Sequence, residues 1–111
     1  MLNHEGRENM WVILQRLDEQ WDDDCELKFV QNLPSPYSEF EITFLLYGKV
    51  DVSILYDRSS VDIGIKQDGE YQLLGDFTAQ SVFRGRMGMK YENMKHTFEI
   101  LDEVARGMIA Q

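Results

Sequence analysis

Basic residues are scarce in this chain: 11 Lys and Arg against 20 Asp and Glu give a formal net charge of −9. A nucleic-acid backbone is bound by clustered Lys and Arg, so this balance argues against nucleic acid and for a basic partner. Cysteine occurs once, at Cys25. One thiol forms no internal disulfide, which fits a reducing compartment and makes the cytoplasm the expected location. No uninterrupted apolar run reaches the roughly 18 residues of a transmembrane helix, so no membrane partner is expected. The opening MLNHEGREN has no basic segment followed by an apolar one, and no secretory signal is read there. GxGxxG, GxxxxGK[ST], HExxH, GxSxG and paired CxxC are all missing, and with them the common phosphate, zinc and nucleophile signatures. No catalytic residue, metal or cofactor is expected, and no repeat or low-complexity segment suggests a solenoid or tail.

What is present is enough for a core. Hydrophobic residues at 43% and aromatic residues at 12% exclude a disordered chain. At 111 residues, read as a single domain over 1–111, the chain can bury roughly 60 to 70% of its unfolded surface without staples.

The organising stretch is Phe40 to Ile65, FEITFLLYGKVDVSILYDRSSVDIGI, where three apolar runs of strand length alternate with period 2 across short loops. Phe40, Ile42, Phe44 and Leu46 share one face, as do Val50, Val52 and Ile54, and Val61, Ile63 and Ile65. One residue of slip sends a whole apolar face to water, so the register is constrained. Leu46 is expected opposite Val50 across Tyr47, Gly48 and Lys49. A two-residue Gly48-Lys49 turn would oppose Leu46 to Asp51 and is rejected. Tyr56 is then expected opposite Val61 around Asp57, Arg58, Ser59 and Ser60.

On either side of this meander, Met10, Ile13, Leu14, Leu17 and Trp21 form one helical stripe over 7–21, and Met94, Thr97, Phe98, Leu101, Val104, Ala105 and Met108 form another near the end of the chain. Glu26 to Leu33 alternates as Leu27, Phe29, Gln31 and Leu33, a strand ending at Pro34-Ser35-Pro36, which cannot continue a ladder. Asp68-Gly69 is a type I′ hairpin signal leading to a fifth strand, with Ile63 opposite Leu74. Tyr71 and Leu73 then fall on the sheet face that carries Leu45, Tyr47 and Leu55. That face is too apolar for bare water, and a helix, the 76–89 segment or another protein should cover part of it. The fold class is α+β: an N-terminal helix, a five-stranded antiparallel meander and a C-terminal helix, with both helices on one sheet face.

The segment 76–90 reads as a long loop, with a short helical turn around Ala79, Val82 and Phe83. Gly85-Arg86-Met87-Gly88 matches in form the GxxG loop that clamps RNA backbone in KH domains. That loop joins two helices, whereas only the C-terminal flank is helical here, and a chain this acidic is a poor phosphate binder. Arg84 and Arg86 are instead expected to pair with the chain's own carboxylates. His96 is a surface or packing residue, and Cys25, with no His close by in sequence, a structural thiol.

Charge is unevenly spread. Residues 1–83 hold 16 acids and 6 bases, net −10, while 84–111 hold 4 acids and 5 bases, net +1. Asp22, Asp23 and Asp24 sit unfavourably at the negative end of the first helix dipole, a cost that hints at use toward a partner's Lys or Arg. They lack the spaced oxygen ligands, Gly and distal Glu of a calcium loop. The candidate partner-binding set is Asp22, Asp23, Asp24, Asp57, Asp62, Asp68 and Glu70 as acidic contacts, with Tyr47, Leu55 and Tyr71 as the buried anchors in which interface energy concentrates.

In size, element order, the acid-rich 22–26 and 57–70 segments and the exposed-aromatic strands, the chain resembles the small acidic immunity proteins with which bacteria neutralise toxins of contact-dependent inhibition and related polymorphic-toxin systems. The resemblance implies a non-enzymatic cytoplasmic protein that binds one cognate toxin domain, often a basic nuclease, and occludes its active site. In size, acidity and α+β build the chain also resembles secretion chaperones. That alternative implies an obligate homodimer, with an interface over Leu45, Leu55 and Leu73, that holds an unfolded segment of an exported effector.

Overall fold

Leu46 faces Val50, Phe44 faces Val52, Ile42 faces Ile54 and Phe40 faces Tyr56; Tyr56, Ile54 and Val52 then face Val61, Ile63 and Ile65. These are the pairings demanded by keeping one face apolar, and all eleven of these side chains are buried. In the computed structural model, which describes residues 4–33, 39–57, 60–82 and 86–111, they belong to an open sheet of five antiparallel strands in chain order. The strands are β1 (Cys25–Asn32), β2 (Phe40–Leu46), β3 (Val50–Asp57), β4 (Ser60–Gln67) and β5 (Glu70–Leu73), preceded by helix α1 (His4–Trp21) and followed by α2 (Tyr91–Ile109). The fold is α+β.

Two turns fix the register. Tyr47 and Gly48 both take positive φ, 55° and 68°, and the turn closes when the Lys49 N–H donates to the Leu46 carbonyl at 3.0 Å. At the next tight hairpin Asp68 and Gly69 have φ of 55° and 85°, the left-handed pair that a type I′ turn requires. The ladder from Gln67–Glu70 to Gly64–Leu73 follows in the expected register. Past Leu73 the chain leaves the sheet in a 3-10 turn over Leu74–Phe77, and Leu74 is buried.

Both helices lie on the apolar face. Ile13, Leu17 and Trp21 of α1 and Met94, Phe98, Leu101 and Ala105 of α2 join the strand residues in one buried cluster, each large side chain contributing about 1.5 to 3 kcal/mol by leaving water. The Trp21 ring lies 5.3 Å from Phe98 and 6.3 Å from Phe44. Phe40 stacks on Tyr56 at 4.5 Å, whose hydroxyl accepts from Asn9 Nδ2 at 2.8 Å. The Arg16 guanidinium sits 4.2 Å from the centre of the Tyr91 ring, a cation–π contact between the helices.

Two expectations are corrected. The alternation Leu27, Phe29, Gln31 does not put one face of β1 on the core. Leu27 pairs with Phe44 but Phe29 pairs with Thr43, so a bulge at Lys28 inserts one residue and turns Phe29 to the opposite face. The 76–90 segment also has no helical turn at 79–82; its helical turns lie at Leu74–Phe77 and Arg86–Met89. Val82 and Met89 still pack against the core, and Gln80 Nε2 donates to Glu103 of α2 at 2.8 Å. Apolar anchoring at Phe77, Val82 and Met89 thus takes the place of a continuous helix. The Pro34-Ser35-Pro36 break, the Arg58-Ser59 loop positions, Phe83, Arg84 and the side chain of Arg86 lie outside the described residues.

Candidate functional site

The pairings sort the face of the sheet turned away from the helices into three cross-strand rows. Gln31, Glu41, Leu55 and Asp62 form one; Phe29, Thr43, Ser53, Gly64 and Leu73 the next; Glu26, Leu45, Asp51, Lys66 and Tyr71 the third. No described helix or turn lies over this face, and Phe29, Leu55, Tyr71 and Leu73 remain exposed on it. A contiguous apolar set of this kind, rimmed by charge, marks an interaction site.

The middle row explains the shape. Ser53 and Gly64 are small residues between two rows of long ones, and a depression of about 200 Å³ opens over them. Glu41, Ser53, Leu55, Asp62, Tyr71 and Leu73 are among its lining residues. Thr43 and Ser53 are 4% and 7% exposed although no helix covers them; the longer neighbours shade them. A Cβ on Gly64 would lie 3.4 Å from Tyr71 Cβ and from the Gln72 carbonyl oxygen, so the absent side chain leaves the space beside Tyr71.

Carboxylates dominate the polar groups of this face. Ser53 Oγ donates to Glu41 Oε2 at 2.8 Å and Gln31 Nε2 to Oε1 at 3.2 Å, so Glu41 is held by neutral donors. Lys28 Nζ reaches Asp51 at 3.2 Å across the surface, and Lys66 sits 5.9 Å from the Tyr71 ring centre. Burial and then the charges of Asp51 and Glu41 raise the Tyr71 phenol above its usual range, with Lys28 and Thr43 opposing. The phenol therefore stays neutral and can donate.

The residues expected at a binding surface divide. Leu55, Asp57, Asp62 and Tyr71 share the open face by register. Glu70 does not, because it is offset by one residue from Tyr71 and points to the other side of β5; Asp68 is in the β4–β5 turn. Asp22–Asp24 form a 3-10 turn between α1 and β1, at the same sheet end as Asp68 but four strand spacings away, about 19 Å in a flat sheet. Asp22 lines a separate depression of about 220 Å³ with Leu14, Leu17, Asp18, Cys25 and Leu27. There burial, and then the charge of Asp18, push the Cys25 thiol up to about 11, so it is protonated and unreactive at neutral pH. Among the described residues no group of three His, Cys, Asp or Glu side chains could hold a metal ion.

Tyr47 is not on the open face. Its left-handed backbone turns the side chain toward α2, where the hydroxyl donates to Asp102 Oδ1. Trp21 Nε1 donates to the same oxygen at 2.8 Å, and Arg106 Nε to Oδ2 at 2.9 Å. The Arg106 guanidinium also lies 5.0 Å from the centre of the Tyr47 ring. Burial raises the Asp102 carboxyl, but the bonds from Tyr47, Trp21 and Arg106 outweigh it and hold the group below the usual carboxylate range. This cluster is a structural tie between α1, the β2–β3 turn and α2. Sequence reasoning placed neither Asp102 nor Phe29 at a site. Trp21 alone carried a signal, since a buried indole N–H needs an acceptor.

Comparison of the chain with protein-family models, curated proteins and solved structures finds no match. No described helix is long and apolar enough to cross a membrane.

Proposed function

We infer that the chain is a non-enzymatic binding protein whose open sheet face docks a basic protein partner. Carrying this reading is the uncovered row structure of the sheet: Leu55, Tyr71 and Leu73 stay exposed around a depression lined also by Glu41 and Asp62, with Phe29 exposed on the same face at β1. Apolar anchors supply affinity at the centre, and the surrounding carboxylates steer and orient a cationic surface. A net charge of −9 adds long-range attraction that accelerates encounter.

In its sharper form the proposal is that of an immunity protein: a cytoplasmic inhibitor that occludes the active site of a cognate toxin domain, nuclease-like because a cationic substrate channel complements this face. The acidic turn at Asp22–Asp24 and the Asp68–Glu70 hairpin tip extend the attraction beyond the contact.

The test has two stages. Partners captured from the native lysate by the wild-type protein are compared with those captured by Leu55→Asp and by a Tyr71→Ala/Leu73→Ala double variant. The captured protein is then assayed for an activity that the wild-type chain blocks at one-to-one stoichiometry. A basic partner that ignores all three substitutions removes the open face from the interaction. Solution scattering on the free chain checks the chaperone alternative, since a stable dimer closed over Leu55 and Leu73 uses the same surface for itself.

A further inference from the structure

The depression on the open face is a trench floored by Ser53 and Gly64, with Glu41, Leu55 and Asp62 along one side, Tyr71 along the other and Leu73 at its β5 end. We propose that this trench is a receptor for one arginine side chain presented by the protein partner, the guanidinium lying between Glu41 and the Tyr71 ring; this rests on the open face being the docking surface.

Size sets the first limit. At about 200 Å³ the depression is far above the roughly 10–15 Å³ that one water needs, so it admits a long side chain.

Chemistry narrows the guest further. Glu41 accepts one hydrogen bond at each oxygen, both from neutral donors, and among the described residues no cation pairs with it. An ionised carboxylate has about four acceptor sites, so two remain for an incoming cation. Thr43 on β2 acts on the Tyr71 phenol as a side-chain hydrogen-bond donor, so the Tyr71 side chain crosses the strands between them and its ring walls the trench. A guanidinium offers a flat face to that ring and N–H edges to both Glu41 and the floor. A lysine ammonium is a strongly hydrated point charge that loses more on entering such a slot. The methylene stem of the arginine covers Leu55 and Leu73 on the way in.

The experiment is an amide chemical-shift titration of the labelled full chain at low salt with N-acetyl-argininamide, and separately with N-acetyl-lysinamide. Shifts are expected to concentrate on Thr43, Ser53, Gly64 and Leu73, with the arginine probe binding several-fold tighter. Glu41→Gln should weaken it on the order of tenfold, the loss of a charge-assisted pair. Gly64→Ala should block it without unfolding the chain, because the new Cβ meets its neighbours at ordinary contact distance. Equal binding of the two probes, shifts centred on Asp22–Asp24 or the hairpin tip, or indifference to Glu41→Gln overturns the trench. If a basic partner is still lost on Leu55→Asp while the probe bypasses Gly64, the docking face stands and only the arginine receptor falls. If the probe fills the trench and the partner ignores Leu55→Asp, the receptor stands and the docking face falls.

Discussion

Tyr47, at the β2–β3 turn, donates its phenol hydrogen to Asp102 on α2, and through that one carboxylate the sheet end and both helices are tied. Asp102→Ala removes the acceptor for Tyr47 and Trp21 together. Each neutral bond contributes about 1 kcal/mol net, and a buried donor left without an acceptor costs about 1 to 3 kcal/mol. Urea unfolding should therefore show Asp102→Ala destabilised by about 2 to 4 kcal/mol, and Tyr47→Phe by about 1 kcal/mol.

The same carboxylate gives the protein an acid-sensitive tie. Its folded pKa lies below the ordinary value, so its stabilisation is fully present above the unfolded pKa of about 4 and is lost as pH falls through the lower folded pKa. Asp102→Asn abolishes that titration. Unfolding of the wild type followed by circular dichroism should steepen below about pH 4, and the variant, less stable at neutral pH, should show a flatter acid limb.

Cys25, with its thiol pushed up by burial to about 11 from an ordinary 9.0, should react slowly with a disulfide reagent at pH 8. On thiolate fraction alone the rate is about a hundredfold below that of an ordinary thiol. Asp18→Asn should raise the rate modestly and denaturant should raise it fully. A fast reaction in the native state would contradict the burial of this sulfur.

At Gly69 the φ of 85° makes any side chain strained although nothing lies within 4 Å of the added Cβ. Gly69→Ala should cost about 1 kcal/mol through the backbone alone. Gly64, which is not left-handed, should tolerate alanine with a smaller change. Thermal melts of the two variants check the contrast.

Leu55 and Ile54 are neighbours on β3 with opposite fates, the first 41% and the second 1% exposed. Leu55→Asp sets a third carboxylate between Glu41 and Asp62 on the neighbouring strands and should cost about 1 kcal/mol, less than a core substitution, while abolishing partner capture. Ile54→Ala should cost about 2 to 5 kcal/mol with capture intact at temperatures where the variant stays folded.

How much of this was readable beforehand follows from what each residue's position costs when wrong. The β2–β4 register was legible residue by residue, because a slip at Ile42 or Ile54 would expose a whole core face. The Asp68-Gly69 hairpin was legible because few dipeptides tolerate two left-handed residues in a row. The bulge at Lys28 was not, since β1 is largely exposed on both faces and its period carries little energy. Tyr47 was misplaced for a related reason: period-2 counting stops at a turn, and its positive φ redirects the side chain. Leu55 and Tyr71 were placed on one face by period alone, and register puts Asp57 and Asp62 there as well; the trench between them depends on the smallness of Ser53 and Gly64, a property of neighbouring strands together.

The bulge in β1 also governs how the molecule meets other chains. β1 is an outermost strand of the sheet, eight residues long, and an unbroken row of that length is a template for another strand, hence for fibre growth. Doubling the residues opposite Thr43 throws the outward N–H and C=O groups out of step midway and places Lys28 at the break. At the opposite margin β5 has only four residues before the chain turns into the 3-10 helix at Leu74. Neither margin can be extended for more than a few residues by a second copy. Main-chain pairing, which selects nothing, is thereby discouraged at both margins.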